Sequence, residues 1–337
     1  MRGLKTLLLL VLFQLVFSTT YIHAQEPTRL TIGYASFNAA FLPLWMAKET
    51  RIFTNNGLDV QLVFFAAAMP TVMALVSGDA PIIHTGGAAV INSTLGGSDA
   101  VLIVGGIVSL DWWLMSRPEI KSAAQLKGKS VAISSFGGTS DFAARYALQK
   151  IGLDPEKDVI LVALGNPVNR QAAMETNRVQ ATVHAHPSTF MAQKKGFNVL
   201  ADLAALGLAY QHTAGATTRR FIRGSFDAVR KYVKSQVEAV HRLKTDRETG
   251  LKVLAKYMRG ITDREILEKS YDITIANNML PAKQYPTLEG IKLILDTFAE
   301  KDPRARDAKP EDFVDMRFMK ELDESGFIDN LYKGKKG

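Results

Sequence analysis

The segment Ser134-Ser135-Phe136-Gly137-Gly138-Thr139-Ser140 sets hydroxyls on both sides of a paired glycine and carries no charge before Asp141. Glycines let backbone N–H groups approach a ligand closely, and a helix opening behind them favours negative charge. Such a loop holds a carboxylate, a sulfonate or a similar head group. It is not a nucleotide loop, because the lysine that reaches nucleotide phosphates is missing. A second paired glycine stands in His84-Thr85-Gly86-Gly87-Ala88, where the plainer reading is a pair needed only for the turn. Ser36-Phe37-Asn38-Ala39-Ala40-Phe41 offers a hydroxyl, an amide and two aromatic rings, or else an ordinary helix cap. Asn166 to Asn169 is a weaker loop, with Arg170 close enough to contribute charge.

Histidines invite a metal reading, and their spacing argues against it. His184 and His186 in His184-Ala185-His186-Pro187-Ser188 are two apart, so on extended backbone they point to opposite sides. A metal or redox pairing of His84 with His186 is the weaker reading beside ordinary structural roles. The loops hold no Asp or Glu except Asp141, which disfavours a cationic ligand.

The elements that position these loops alternate. Leu30 to Tyr34, Leu58 to Phe65, Pro81 to His84 and Val101 to Ile107 read as strands, each followed by a helical pattern or a loop. A second series runs through strands at Lys129 to Ser134, Asp158 to Ala163, Val179 to His184 and Phe197 to Leu200. That order implies βαβ units and mostly parallel sheets, with ligands bound beyond the carboxyl ends of the strands. Beyond Thr213 the pattern becomes helical: Ser225 to Lys244, Arg247 to Met258, Asp263 to Ala276 and Thr287 to Ala299 are amphipathic. Periodicity leaves open whether two α/β units form beads on a string or one bilobal protein.

Composition narrows the classes. The chain has 337 residues, 41 Lys plus Arg against 33 Asp plus Glu, and no cysteine. The missing cysteines exclude disulfides, thiolate metal sites, a cysteine nucleophile and a lipid anchor on an N-terminal cysteine. Arg2 and Lys5 precede an apolar run from Leu7 to Phe17, and Ala24 suits a cleavage position, so residues 1–24 read as a secretory signal peptide. Its loss would lower the net charge from +8 to +6. The charges are dispersed with no basic stripe interleaved with aromatics, so no nucleic-acid partner is expected.

Ordered motifs carry a family resemblance. Leu42-Pro43-Leu44-Trp45-Met46-Ala47-Lys48-Glu49 is followed by Ile52-Phe53, Gly57-Leu58-Asp59-Val60 and Met73-Ala74-Leu75-Val76-Ser77-Gly78-Asp79. Gln125-Leu126-Lys127-Gly128-Lys129, Val131-Ala132-Ile133, Gly152-Leu153-Asp154 and Lys195-Gly196-Phe197 complete the set. Together, after a signal peptide, they resemble the periplasmic solute-binding proteins of nitrate/sulfonate/taurine-type ABC transporters, a family with relatives among the thiamine-pyrimidine synthases. One departure is Arg51, where the family often has a glycine and the helix end favours a left-handed residue. The absence of cysteine counts against the synthase branch.

The resemblance implies an α/β chain with the type II periplasmic-binding-protein fold, two α/β lobes joined by two crossover strands. Lobe one is expected at 25–116 and 217–337, lobe two at 117–216, with Gly215 near a hinge. The expected ligand-binding residues are Ser36, Phe37, Asn38, Phe41, Thr85, Gly86, Gly87, Trp112, Ser135, Phe136, Gly137, Gly138, Thr139, Ser140, Asn166 and His186. His186 is preferred over His184 because it ends a strand where family members contact ligand. Either Trp112 or Trp113 faces the cleft. The implied function is a periplasmic receptor, acting as a monomer without a cofactor or catalytic residue. It would deliver a small neutral or anionic organic solute to the membrane permease of an ABC importer. Affinity is expected from backbone donors, hydroxyls and aromatic walls, without a fixed countercharge. The alternative is an enzyme on the same fold, a pyrimidine-forming or lyase-type relative.

Overall fold

The computed structural model describes residues 26–258, 260–276 and 279–333. The expected signal peptide and the last residues of the basic tail lie outside them. Ten strands form two five-stranded sheets among the described residues. The first contains β1 (Thr28–Tyr34), β2 (Leu58–Phe64), β3 (Ile82–Thr85) and β4 (Ala100–Gly105). The second contains β5 (Trp113–Ser116), β6 (Lys129–Ile133), β7 (Val159–Ala163), β8 (Ala181–His184) and β9 (Asn198–Asp202). The chain then returns to the first sheet as β10 (Ala214–Thr218).

The two sheets repeat one plan. The first has the order β2-β1-β3-β10-β4 and the second β7-β6-β8-β5-β9. In each, one short strand runs against its neighbours: β10 is antiparallel to β3 and β4, and β5 is antiparallel to β8 and β9. The parallel pairs keep a continuous register, Thr28↔Leu58 to Tyr34↔Phe64 in one sheet and Lys129↔Val159 to Ile133↔Ala163 in the other. Their apolar strands are covered by helices, as parallel sheets require.

These sheet memberships shift the expected lobe boundaries. Trp113–Ser116, assigned from sequence to lobe one, pairs with β8 and β9 of the second sheet. Ala214 to Ala216, assigned to lobe two, pairs with β3 and β4 of the first. The connecting segments are therefore 106–112 and 203–213, and a bridge from Ser109 to Ala209 ties them together. Gly215, expected near a hinge, sits inside β10, where a side chain would strike Val104 and the Tyr232 ring.

The helical end returns to the first sheet's side. The Phe226–Thr245 helix packs against the Leu42–Glu49 helix, and the Arg317–Glu324 helix reaches β4. One buried apolar cluster runs from Leu30 and Trp45 through Val101 to Tyr232, Leu295 and Ile328, so the end is no separate domain. Arg51 takes the left-handed conformation at φ 60° that the motif leaves to glycine elsewhere.

Candidate functional site

The carboxyl ends of strands from both sheets converge on a cleft enclosing about 420 Å³, its open mouth included. Ser36, Asn38 and Phe41 come from the loop after β1, and Gly86 from the loop after β3. Thr139, Ser140 and Asn166 come from the loops after β6 and β7. Trp112, His212 and Thr213 come from the two connecting segments. Two helices begin here, Thr139–Lys150 and Pro167–Glu175, so their N-terminal N–H groups and dipoles face the cleft.

Several of the polar groups are already engaged in shaping the loops. Asn38 Oδ1 accepts from the Ala40 N–H at 3.0 Å, and Asn166 Oδ1 accepts from the Asn169 N–H at 3.0 Å. Ser140 Oγ accepts from the Ser134 N–H at 2.8 Å and shares a hydrogen bond with Ser134 Oγ at 2.6 Å. The capping alternative for the first loop is thus realised alongside its place in the cleft wall.

The other expected residues surround this wall. Phe37 lines a second, outer groove. Thr85 is fully buried, and the Gly87 N–H donates to the Gln211 carbonyl at 3.2 Å behind the cleft. Gly138 caps the Thr139–Lys150 helix, and Gly137, at φ 73°, donates its N–H to Asp141 Oδ2 at 2.8 Å. Ser135 Oγ lies near Gly138 with no hydrogen-bond partner among the described residues, while Phe136 is 52% exposed and is not among the residues that line the cleft. His186 lies outside the cleft wall. Its Nδ1 pairs with Thr189 Oγ1 at 2.6 Å and its ring stacks on Phe190 at 4.5 Å. Its carbonyl accepts from the Ala39 N–H at 3.1 Å, a backbone bond between the two halves.

Trp112 is the tryptophan that faces the cleft; Trp113 packs edge-on against His186 and Phe190 on the second sheet's side. The Trp112 indole N–H donates to His212 Nε2 at 2.9 Å. The indole can only donate, so Nε2 is the acceptor in that bond, and the other ring nitrogen, Nδ1, lies 2.9 Å from Asp111 Oδ1. The Asp111 contact is an ion-pair distance without the alignment of a good hydrogen bond. Burial pushes the Asp111 carboxyl up, but the nearby His212 outweighs it and holds the group below its ordinary value. The Trp112–His212–Asp111 chain thus joins the two connecting segments, with the imidazole Nε2 engaged by Trp112.

Arg170 is the residue that sequence reading undervalued. It is 1% exposed, lines the cleft, and has its guanidinium carbon 5.6 Å from the Trp112 ring centre. Nη1 donates to the Val183 carbonyl at 2.7 Å, whereas Nε has no partner. No carboxylate pairs with it among the described residues, and burial lowers its pKa to about 9. It remains a cation at neutral pH, so the cleft does contain a fixed countercharge, contrary to the expectation from the loops alone. His184, beneath it, is held well below its ordinary pKa by burial and then by Arg170. Among the described residues no group of three or more His, Asp or Glu is arranged to hold a metal ion.

The two halves touch across the cleft. A Cβ placed on Gly86 would lie 2.2 Å from Thr139 Oγ1, and one on Gly137 would lie 2.4 Å from Asn92 Nδ2. The arrangement is therefore a closed one, in which missing side chains let the halves approach.

This architecture is that of the periplasmic binding proteins. Solved structures similar to it include the alkanesulfonate-binding protein SsuA from Xanthomonas axonopodis pv. citri bound to MOPS. That match has a TM-score of 0.66 and 21% identity, and covers 85% of this chain and 96% of that one. The periplasmic nitrate-binding protein NrtA from Synechocystis PCC 6803 matches with a TM-score of 0.69 and 15% identity, over 89% of each chain. The NMT1-like family model matches residues 115–259. "Putative binding protein YtlA" of Bacillus subtilis (strain 168) is 21% identical over 250 residues, 73% of this chain and 75% of that one. The fold that the resemblance implied is thereby borne out, and the chain is similar to sulfonate- and nitrate-binding proteins in that fold.

Proposed function

We propose that this chain is the extracytoplasmic ligand-binding component of an ABC importer and that its ligand is a small organic anion. The observation that carries the ligand class is Arg170, a buried guanidinium with a donor unpaired and, among the described residues, no carboxylate paired with it. An uncompensated buried charge is costly, and it is kept where a partner of opposite sign arrives. The two helix N-termini favour the same sign. The names of the neighbours, alkanesulfonate-binding and nitrate-binding, agree with an anion.

The receptor role rests on the two-sheet closure about paired connecting segments, the geometry that traps a solute between lobes. The leader read at residues 1–24 supports export to the periplasm. No helix among the described residues is long and apolar enough to cross a membrane. A membrane permease is the partner that receives the solute from the closed form. Native mass spectrometry and thermal shift with a panel of sulfonates, carboxylates and matched amines test the reading. Stabilisation by the acids alone is expected; stabilisation by amines alone, or turnover of a bound acid, contradicts it.

A further inference from the structure

Two neighbouring residues of one helix are tied to two neighbouring residues of one strand. Arg170 Nη1 donates to the Val183 carbonyl at 2.7 Å, and Gln171 Oε1 lies 3.1 Å from His184 Nε2. Arg170 and Gln171 belong to the Pro167–Glu175 helix, Val183 and His184 to the end of β8. β8 runs between β6 and β5 at the centre of its sheet, so both contacts are made to a rigid element. His184 is fully buried and does not line the cleft.

The outer end of this chain of contacts fixes where its protons are. Gln171 Nε2 donates to Glu175 Oε1 at 2.9 Å, and Lys195 Nζ donates to the same oxygen at 2.6 Å. A carboxylate only accepts, so the Gln171 amide nitrogen belongs on that side and its carbonyl oxygen faces the imidazole. The imidazole must therefore donate from Nε2. Its Nδ1 has no hydrogen-bond partner among the described residues. Burial, followed by Arg170, holds its pKa well below the ordinary value, so the ring is neutral in neutral solution. His184 is thus the Nε2–H tautomer, with a bare Nδ1 lone pair and no second charge beside Arg170.

Resting on the anion reading above, we propose that His184 is a positioning residue of the anion site, acting through Gln171 on the helical turn that carries Arg170. The guanidinium has a single protein acceptor, the Val183 carbonyl, so its place depends on where the helix sits over β8. The imidazole fills the space between helix and strand, and its N–H pins Gln171, the next residue along. Arg170 is then already aimed when an anion arrives, and little ordering is left to be done on binding. Glu175 and Lys195 hold the far side of the Gln171 amide, which keeps the carbonyl oxygen turned to the ring.

Calorimetric titration of the full mature chain with ethanesulfonate and with benzoate tests this, with melting temperatures measured alongside. His184→Leu is expected to weaken binding about tenfold, the scale of one lost hydrogen bond. His184→Gln, whose amide N–H can stand in for Nε2–H, should bind within about threefold of the parent, a smaller part of the same loss. Gln171→Met, at a partly exposed position that folding tolerates, should match H184L. The double variant should bind no more weakly than either single one, because both break the same link. Nitrogen NMR of the parent at neutral pH should show His184 as the neutral Nε2–H tautomer. Parent-like binding by H184L and Q171M overturns the positioning role and leaves the anion reading in place. A loss that H184Q does not restore, additive losses, or a ring protonated on Nδ1 also overturns it. Failure of both acids to bind the parent overturns the anion reading, and the positioning role with it.

Discussion

Gly86 faces Thr139 across the cleft so closely that a Cβ on Gly86 would fall 2.2 Å from Thr139 Oγ1. The two residues follow strands of different sheets, so this contact exists only when the halves are together. Gly86 has an ordinary backbone, φ −67° and ψ 133°, and alanine there is not strained in its own right. Gly86→Ala is therefore expected to leave the melting temperature of the unliganded protein within a few degrees and to weaken ligand binding about tenfold or more. Thermal melting and calorimetric titration of the same preparation check both halves of that statement.

The link between the connecting segments separates packing from hydrogen bonding. Trp112→Phe keeps a ring beside Arg170 but removes the indole N–H that His212 Nε2 accepts. A buried acceptor left unsatisfied costs about 1–3 kcal/mol, so chemical denaturation should show a loss of that size. Trp112→Leu removes the ring face as well, and is expected to weaken anion binding further than W112F does.

Stability should fall in acid for a reason independent of the ligand. Burial, followed by His212, lowers the His84 pKa to about 3, and burial lowers His184 and His186 as well. Each lowered imidazole is neutral in the fold while its unfolded counterpart takes up a proton below about pH 6.5. The unfolded state then binds more protons, so stability is fully present above pH 6.5 and declines towards pH 3. His84 contributes a slope of about 1.4 kcal/mol per pH unit in that window. Denaturation midpoints of the parent and His84→Leu proteins between pH 7 and 4 should differ in slope by about one proton.

Much of this architecture is written locally. Runs such as Leu58–Phe64 and Ala100–Gly105 alternate with helices, and parallel strands covered on both faces are necessarily apolar. The two antiparallel strands are not legible in that way. Trp113–Ser116 and Ala214–Thr218 are four and five residues long, and each lies between partners remote in sequence. A stretch such as Ala-Gly-Ala-Thr-Thr gives no strand signal until its neighbours are in place. The cleft loops after β1, β3 and β6 were readable because hydroxyls and glycines gather before helices.

Arg170 and His212 were harder to place. Arg170 stands in the first turns of a helix whose inward face depends on which half covers it, and nothing local distinguishes it from a surface arginine. His212 lies in a connecting segment outside regular structure, and its relation to Asp111 crosses 101 residues. The one sequence cue was the proximity of Arg170 to the Asn166 loop. Its burial, and hence its role as an uncompensated cation, comes from tertiary packing.

The central claim is that Arg170 supplies the charge that selects an organic anion. Its most direct test is calorimetric titration of the parent protein and Arg170→Met with the same alkanesulfonate, with melting temperatures measured alongside. Removing an unpaired buried charge is expected to leave stability unchanged or raise it. Loss of the charged partner should weaken binding by about a hundredfold or more, roughly 3 kcal/mol. Binding by R170M within threefold of the parent would contradict the account.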